Sequence, residues 1–315
     1  MTRALVFPGQ GSQDVGMGKA LADAFPSARA VFDEVDDALG EKLSVLIWEG
    51  PKETLTLTEN AQPALMAVSM AVMRVLEKEK GFSLADKVKY VAGHSLGEYS
   101  ALAAAGAFSL ADAARLLKLR GRAMQKAVPV GVGAMSALLG VGIEVAEKVA
   151  AEAAQGEACQ VANDNEPTQV VLSGHKTALD RVPEVGKALG VRRAVPLPVS
   201  APFHCSLMQP AADAMAEALA NVAVHRPVVP VVANVLAKPI SDPEEIKKRL
   251  VEQVTGTVRW RECVAVMAAD GVTDFFEIGA GKVLAGLVKR TAPTVNAVSL
   301  GTPADIDAAL AALIS

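Results

Sequence analysis

Residues 88–104 read VKYVAGHSLGEYSALAA, and this stretch joins a short apolar strand pattern to the start of a helical one. Residues 93–97, GHSLG, lie between the two and match the G-x-S-x-G pattern of a nucleophile elbow. In such an elbow the glycines allow a tight turn from strand to helix, and the serine hydroxyl stands clear of the backbone. The pattern predicts Ser95 as a catalytic nucleophile. The alternative is an ordinary strand–helix turn in which Ser95 caps the helix.

Apolar strand patterns alternate with longer helical patterns on both sides of this stretch. Continuous apolar strands that alternate with helices are typical of α/β proteins with a mainly parallel sheet. We therefore predict an α/β fold whose large domain contains a mostly parallel sheet. The strands are predicted at 4–8, 88–92, 228–235, 273–278 and 295–300, and the helices at 63–79, 109–127, 210–221, 243–254 and 281–289.

The middle of the chain has a different order of patterns, β-α-β-β-α-β, which is typical of a ferredoxin-like fold. Its strands are predicted at 134–141, 158–163, 169–173 and 191–198, and its helices at 143–155 and 176–189. We therefore predict a small ferredoxin-like domain over residues 128–198. It is inserted into a large domain formed by residues 1–127 and 199–315.

The composition is that of a folded globular protein with no general affinity for polyanions. Hydrophobic residues make up 51% of the 315 residues and charged residues 21%, which excludes wholesale disorder. The formal net charge of -4 argues against a general nucleic-acid binder. No uninterrupted apolar stretch is long enough for a membrane span, so we expect none.

The three cysteines, Cys159, Cys205 and Cys263, lie far apart in the sequence and form no C-x-x-C motif. Their spacing and odd number argue against a disulfide framework and against a zinc site. We therefore expect a cytoplasmic protein that works without a metal.

A glycine-rich loop, PGQGSQ, follows the first predicted strand at residues 8–13. Open α/β sheets bind their ligands at the carboxyl ends of strands, where this loop is expected to lie. The loop lacks the Lys-Ser/Thr pair of a phosphate-binding loop and the spacing of a dinucleotide fingerprint. The backbone N–H near Gln10 is a candidate oxyanion donor, and an ordinary glycine turn is the alternative.

A serine nucleophile needs a general base, and the candidates are the four histidines His94, His175, His204 and His225. His204 is predicted to follow a strand pattern at 195–199 and to precede a helix, which places it at a strand's carboxyl end. A helix N-terminus next to the ring disfavours the imidazolium and keeps the base neutral. We therefore predict His204 as the base. The alternative is a structural histidine in a proline-rich loop.

Arg120 lies in the middle of an apolar stripe on the helix predicted at 109–127. The stripe has the spacing of a buried helix face and consists of Ala113, Leu116, Leu117, Ala123 and Met124. A buried guanidinium must find an acceptor, because an unpaired buried charge is very costly. The acceptor is either an internal carbonyl or acidic side chain, or the carboxylate of a substrate.

These motifs occur together with further ones, in one order, over the whole chain. They lie at residues 7–13, 93–102, 119–121, 163–174, 202–205, 258–260 and 277–284. The set resembles the malonyl-CoA:acyl-carrier-protein transacylase family of fatty-acid synthesis. The resemblance implies an α/β-hydrolase-like large domain with a ferredoxin-like insertion. It also implies ping-pong transfer of a malonyl group from malonyl-CoA to the phosphopantetheine thiol of acyl carrier protein.

The resemblance further implies roles for five residues in the reaction. Ser95 corresponds to the family's nucleophile, His204 to its base, and Arg120 to the arginine that pairs with the malonyl carboxylate. Gln10 and Leu96 correspond to the residues whose backbone N–H groups form the oxyanion hole.

Other positions concern the orientation of the histidine and the selectivity for the acyl group. Arg259 stands where the family often has glutamine, and the resemblance implies that its backbone carbonyl orients the histidine. Phe203 and Leu96 resemble residues of malonyl-selective acyltransferases. We expect a monomer that needs no cofactor and whose partners are malonyl-CoA and acyl carrier protein.

The helix face opposite the apolar stripe carries Arg115, Lys118, Arg122 and Lys126, which predicts one exposed basic surface. Because carrier proteins of this pathway are typically acidic, this face is a candidate docking site for the carrier. A solvated helix face is the alternative.

Three other functions stay open on the sequence. A serine esterase of the α/β-hydrolase class shares the G-x-S-x-G pattern, but its histidine comes late in the chain, and no histidine follows His225 here. A non-catalytic carrier-binding subunit would not need both Ser95 and His204. An equivalent acyltransferase of another malonyl-using pathway would keep the same chemistry.

Overall fold

A computed structural model describes residues 1–199 and 201–314, which form two β-sheets and their surrounding helices. Ser200 and Ser315, which belong to the predicted segment 199–315, lie outside the described residues. Within the described residues the strands are, in chain order, β1 (Arg3–Phe7), β2 (Tyr90–Gly93), β3 (Gly133–Leu139), β4 (Cys159–Glu166), β5 (Gln169–His175), β6 (Arg193–Pro196), β7 (Val231–Ala233), β8 (Lys238–Ile240), β9 (Asp274–Ile278) and β10 (Asn296–Leu300).

The α-helices of the same residues range from four residues to 22. They are α1 (Lys19–Ala24), α2 (Pro26–Leu39), α3 (Leu43–Glu49), α4 (Lys52–Thr56), α5 (Thr58–Glu79), α6 (Leu84–Lys87), α7 (Leu96–Ala104), α8 (Leu110–Ala127), α9 (Ile143–Ala154), α10 (Lys176–Ala188), α11 (Gln209–Ala220), α12 (Pro243–Thr255), α13 (Trp260–Ala269), α14 (Val283–Thr291) and α15 (Pro303–Ile314). A turn of 3₁₀-helix, Ser206–Met208, leads into α11. None of the helices within 1–199 and 201–314 combines the length and the apolar character needed to cross a bilayer.

The larger sheet has six strands in the order β10-β9-β1-β2-β7-β8. Neighbouring strands are parallel except for β7 and β8, which form an antiparallel pair. Alternate residues of β1 face opposite layers, with Leu5 and Phe7 in one apolar cluster and Ala4 and Val6 in another. Helices therefore cover both faces of the sheet, and the predicted α/β fold with a mostly parallel sheet is confirmed.

The smaller sheet has four antiparallel strands in the order β4-β5-β3-β6. Helix α9 connects β3 to β4, and α10 connects β5 to β6. Both helices pack on the sheet through a third apolar cluster. This is the ferredoxin-like β-α-β-β-α-β order predicted from the sequence.

Some local predictions differ from the structure. The strand predicted at 195–199 ends at Pro196, the last residue of β6, which pairs with β3 in the smaller sheet. His204 therefore does not directly follow a strand end, because Pro198 has no N–H with which to extend the pairing. The strand predicted at 228–235 is shorter, Val231–Ala233. The helix predicted at 63–79 begins earlier, at Thr58, and Pro63 lies inside it.

The larger sheet brings the glycine-rich loop and the elbow together. β1, β2 and β7 are neighbours and run in the same direction, so their carboxyl ends meet at one edge. Gln10, Ser95 and Asn234 follow these three strand ends. The crevice at such an edge is where open α/β sheets bind their ligands.

Candidate active site

Ser95 lies in a sharp turn between β2 and α7, with φ 54° and ψ -109°. The turn needs its two glycines. A Cβ on Gly93 would lie 1.9 Å from the Gly97 carbonyl, and a Cβ on Gly97 would lie 2.2 Å from the Phe7 oxygen. The backbone N–H of Ser95 donates to Asn234 Oδ1 at 2.9 Å, and the Ser95 side chain forms no capping hydrogen bond to α7. The hydroxyl is therefore not used as a plain N-cap.

His204 is the histidine that the structure brings to Ser95, with Nε2 2.7 Å from the serine Oγ. The other ring nitrogen, Nδ1, lies 2.8 Å from the main-chain oxygen of Gln253. Because a carbonyl oxygen can only accept, Nδ1 carries the proton, and Nε2 is left to accept from the Ser95 hydroxyl. The pair has the geometry of a nucleophile and its general base.

The other three histidines have different surroundings. His94 Nε2 lies 2.8 Å from Asn165 Oδ1, His175 ends β5 in the smaller sheet, and His225 is exposed. Within the ranges that the structure describes, His204 is thus the one histidine in contact with the elbow serine.

The surroundings of His204 favour its neutral form. Burial, reinforced by the positive charge of Arg120, lowers the pKa of the His204 imidazole to about 3. An imidazole with this pKa is unprotonated at neutral pH. His204 is therefore ready to accept the Ser95 proton as the substrate arrives.

Arg259 does not orient His204. Its main-chain carbonyl accepts from the N–H of Cys263, and its guanidinium pairs with Glu262. The prediction that Arg259 supplies the orienting carbonyl was wrong, because α13 starts directly after this residue and takes up its carbonyl in the first turn. Gln253, near the end of α12, supplies the carbonyl instead.

Arg120 is buried, with 1% of its surface exposed, as its place in the apolar stripe of α8 predicted. Its Nη1 donates to Gln62 Oε1 at 2.7 Å. Its Nη2 donates to Gln253 Oε1 at 2.9 Å and to Ser95 Oγ at 3.1 Å. All three acceptors are neutral, and among the described residues no carboxylate forms an ion pair with Arg120. A positive charge without a directly paired carboxylate therefore lies beside the nucleophile, and the buried Glu98 acts on it only through space.

The basic face predicted on α8 is only partly present. Lys118 is buried, and its ammonium donates to Glu41 and Asn60. Arg115 and Arg122 are exposed. The prediction that Lys118 belongs to an exposed surface was wrong, because an acidic and an amide side chain from neighbouring segments give its ammonium a buried partner.

A cavity of about 480 Å³ opens onto the Ser95 hydroxyl. Six of the residues singled out from the sequence line it: Gln10, Ser95, Leu96, Arg120, Phe203 and His204. Leu96 is the first residue of α7, so its N–H has no acceptor inside the helix. Within the described part of the chain, neither this N–H nor that of Gln10 donates to a protein atom. Both groups are free to stabilise an oxyanion.

The cysteines do not compete with Ser95 as nucleophiles. Cys205, next to the base, donates its Sγ hydrogen to the Pro202 oxygen at 3.2 Å, and burial raises the pKa of its thiol. Cys159 and Cys263 are also buried and unpaired, and burial raises the pKa of both thiols. Thiols in this form are poor nucleophiles. In residues 1–199 and 201–314, no three His, Cys, Asp or Glu side chains form a cluster that could hold a metal ion.

Four buried polar residues of the site were not found from the sequence: Gln62, Glu98, Asn234 and Gln253. Asn234 Nδ2 donates to the main-chain oxygen of Gly93, the first residue of the elbow, at 2.8 Å. Glu98 Oε2 accepts from the Asn234 N–H at 3.0 Å and from Gln253 Nε2 at 2.9 Å. Burial raises the pKa of the Glu98 carboxyl to about 7. These residues form a hydrogen-bonded network beneath the elbow.

The chain is similar over almost its whole length to known acyltransferases. The family described as acyl transferase domain matches residues 4–304. The malonyl CoA-acyl carrier protein transacylase of Escherichia coli (strain K12) is 46% identical over 307 residues, 98% of each chain. The crystal structure of acyl-carrier-protein-S-malonyltransferase from Bartonella henselae has a TM-score of 0.97 at 56% identity, over 99% of each chain. A malonyl-transacylase in complex with its type II PKS acyl-carrier protein has a TM-score of 0.95 at 44% identity, over 99% of this chain and 100% of that one.

Proposed function

The chain belongs to the acyl transferase domain family, and we propose that it transfers the malonyl group of malonyl-CoA to the phosphopantetheine thiol of an acyl carrier protein for fatty-acid synthesis. The observation that carries this proposal is the position of Arg120, a buried cation whose direct acceptors are all neutral, with Nη2 3.1 Å from Ser95 Oγ. A malonyl group has a free carboxylate beyond its thioester carbonyl. A malonyl group attached to Ser95 therefore brings its carboxylate to the guanidinium of Arg120.

In the first half-reaction, Ser95 Oγ attacks the malonyl thioester while His204 Nε2 accepts the hydroxyl proton. The N–H groups of Gln10 and Leu96 donate to the oxyanion of the tetrahedral intermediate. The carbon–sulfur bond then breaks, His204 gives its proton to the leaving thiolate, and coenzyme A departs. The malonyl group stays on Ser95 as an ester.

In the second half-reaction, the phosphopantetheine thiol of the carrier takes the place of coenzyme A. His204 accepts the thiol proton, and the sulfur attacks the ester carbonyl in the same oxyanion hole. The ester bond breaks, and Ser95 Oγ regains its proton from His204. The carrier leaves with a malonyl thioester, which completes a ping-pong cycle.

Binding of the malonyl carboxylate also raises the pKa of the base, His204. The positive charge of Arg120 is one cause of the lowered pKa of His204. A carboxylate paired with Arg120 offsets that charge, so the pKa of His204 rises once the acyl group is in place. The substrate thereby strengthens the base that activates Ser95, and an acetyl group has no carboxylate with which to do so.

We propose that residues 128–198 are a small domain inserted between 1–127 and 199–315, which the separate four-stranded sheet supports. Phe203, in the cavity wall, contributes to selectivity for the malonyl group. The protein acts as a cytoplasmic monomer without a cofactor, and coenzyme A enters only as part of the substrate.

A transfer assay tests this function. Malonyl-CoA and a phosphopantetheinylated acyl carrier protein are expected to give malonyl-carrier protein and free coenzyme A, measured by the intact mass of the carrier. Generic p-nitrophenyl esters are expected to turn over poorly, because they offer Arg120 no carboxylate. Fast ester hydrolysis without transfer to the carrier would indicate a serine esterase instead.

Replacing Arg120 by alanine is expected to lower kcat/KM for malonyl-CoA by roughly 10²-fold or more, because a desolvated charge pair with the substrate is lost. Acylation by acetyl-CoA is expected to be spared or to rise. Arg120→Lys should rescue only in part, since an ammonium does not reproduce the bidentate geometry. The measurement is the ratio of kcat/KM for the two thioesters. An equal loss for both would make Arg120 a structural residue and place the carboxylate elsewhere.

A further inference from the structure

We propose that the side-chain amide of Gln253 is a specificity-determining positioning residue: it holds the Arg120 guanidinium against the nucleophile and leaves the positive charge free for the substrate's carboxylate. The inference rests on the proposed function and adds a residue to it. Gln253 is completely buried, and its amide contacts both the arginine and the main chain of Ser95.

The partners of the amide allow it only one orientation. Oε1 accepts from Arg120 Nη2 at 2.9 Å, and an arginine has no atom that could accept in return. Nε2 donates to the main-chain oxygen of Ser95 at 3.0 Å, which can only accept, and to Glu98 Oε2 at 2.9 Å, which also accepts from the Asn234 N–H. Glu98 thus anchors the amide nitrogen, and the amide oxygen is turned towards the guanidinium.

Whether the groups that accept from Arg120 are charged determines how far its positive charge is offset within the site. Gln253 Oε1 and Gln62 Oε1 fix two nitrogens of the Arg120 guanidinium through neutral oxygens. A carboxylate at either place would form a short ion pair with the buried guanidinium and offset its positive charge. An amide holds the same geometry without this effect, so the substrate's carboxylate is the first anion that bonds directly to the guanidinium.

The main chain of Gln253 has a separate role, because its carbonyl accepts from His204 Nδ1 at 2.8 Å. A side-chain substitution leaves this carbonyl in place. Variants of Gln253 can therefore disturb Arg120 while the base keeps its acceptor. A general loss of structure would lower acylation by both thioesters equally. The malonyl-to-acetyl ratio of kcat/KM therefore reports on Arg120 and not on the fold.

The experiment compares kcat/KM of acylation by malonyl-CoA and by acetyl-CoA in the wild-type protein and in two variants. Gln253→Met keeps the length of the side chain and removes both the acceptor and the donor. Gln253→Glu keeps the shape and adds a carboxylate. The guanidinium favours the ionised form of that group, and Glu98, whose pKa burial raises to about 7, takes up the proton.

Both variants are expected to lower the malonyl-to-acetyl ratio by about 10-fold to 100-fold, the usual effect of one hydrogen bond to a charged group. Acylation by acetyl-CoA should fall less than acylation by malonyl-CoA, and an unchanged circular-dichroism spectrum and thermal unfolding midpoint show that the variants are folded. The matched control is Gln209→Met on the exposed start of α11, which should leave the ratio unchanged.

An unchanged ratio in either variant that still accepts acetyl groups would overturn the inference. An equal loss for both thioesters would also overturn it, since Gln253 would then be a structural residue alone. If Gln253→Met fails to fold, the isosteric variant Gln253→Glu still allows the ratio to be compared with that of the wild-type protein. A wild-type protein that shows no preference for malonyl-CoA would instead refute the proposed function.

Discussion

Replacing His204 by alanine is expected to slow the acylation of Ser95 by malonyl-CoA by about 10²-fold to 10⁴-fold, the usual effect of losing a general base. Among the described residues, two side chains form hydrogen bonds with the Ser95 hydroxyl, and they differ in whether they can accept its proton. His204 Nε2, at 2.7 Å, can accept its proton, whereas Arg120 Nη2, at 3.1 Å, can only donate. Rapid-quench measurement of coenzyme A release gives the rate. The exposed His225→Ala variant is the control and should match wild type.

The pH dependence of the same step separates His204 from an ordinary histidine. Because burial and the Arg120 charge lower the pKa of His204 to about 3 in the free protein, kcat/KM for acylation should hold as the pH falls from about 8 to about 5. An imidazole with the usual pKa would be mostly protonated at about pH 5 and inactive as a base. A steep loss of rate near pH 6.5, or near-normal acylation by His204→Ala, would contradict the assignment.

The central strands were predictable because their sequences are continuously apolar and end in turn residues. β1 is buried at every position, and β2 runs directly into the elbow glycine. β8 was not predictable. It has three residues, includes Pro239 and lies at the sheet edge, where it pairs antiparallel with β7, so it leaves no hydrophobic pattern in the sequence.

Arg120 was found from the sequence because a charge interrupts an apolar stripe. The same signal was present on α12, where Gln253 shares a buried face with Ile246, Leu250 and Val254. An amide in such a stripe is less costly to bury than a guanidinium, so it is a weaker indication of a functional residue. Both positions prove to contact Ser95.

The carbonyl that orients His204 could not be predicted from sequence. All main-chain carbonyls are chemically alike, and the one that meets Nδ1 depends on how the end of α12 packs against the His204 loop. The resemblance indicated Arg259, which is in the neighbouring segment but whose carbonyl α13 already uses. His204 itself was predicted as the base from its neighbours, and its Nε2 lies 2.7 Å from Ser95 Oγ although the preceding strand already ends at Pro196.

Ser95→Ala is expected to abolish the covalent intermediate completely, because no other described hydroxyl contacts His204 Nε2. The elbow itself should persist, since its shape depends on the glycines and on the bond from the Ser95 N–H to Asn234, which alanine keeps. Ser109→Ala, at the exposed start of α8, is the matched control and should still be acylated.

The intact mass of the protein after brief mixing with malonyl-CoA tests most directly that Ser95 carries the malonyl group. The wild-type protein should gain the mass of one malonyl group, which peptide mapping should locate on the peptide that contains Ser95. The Ser95→Ala protein should gain none. A malonyl adduct on Ser95→Ala, or an adduct on a different residue of the wild-type protein, would contradict the assignment of Ser95 as the nucleophile.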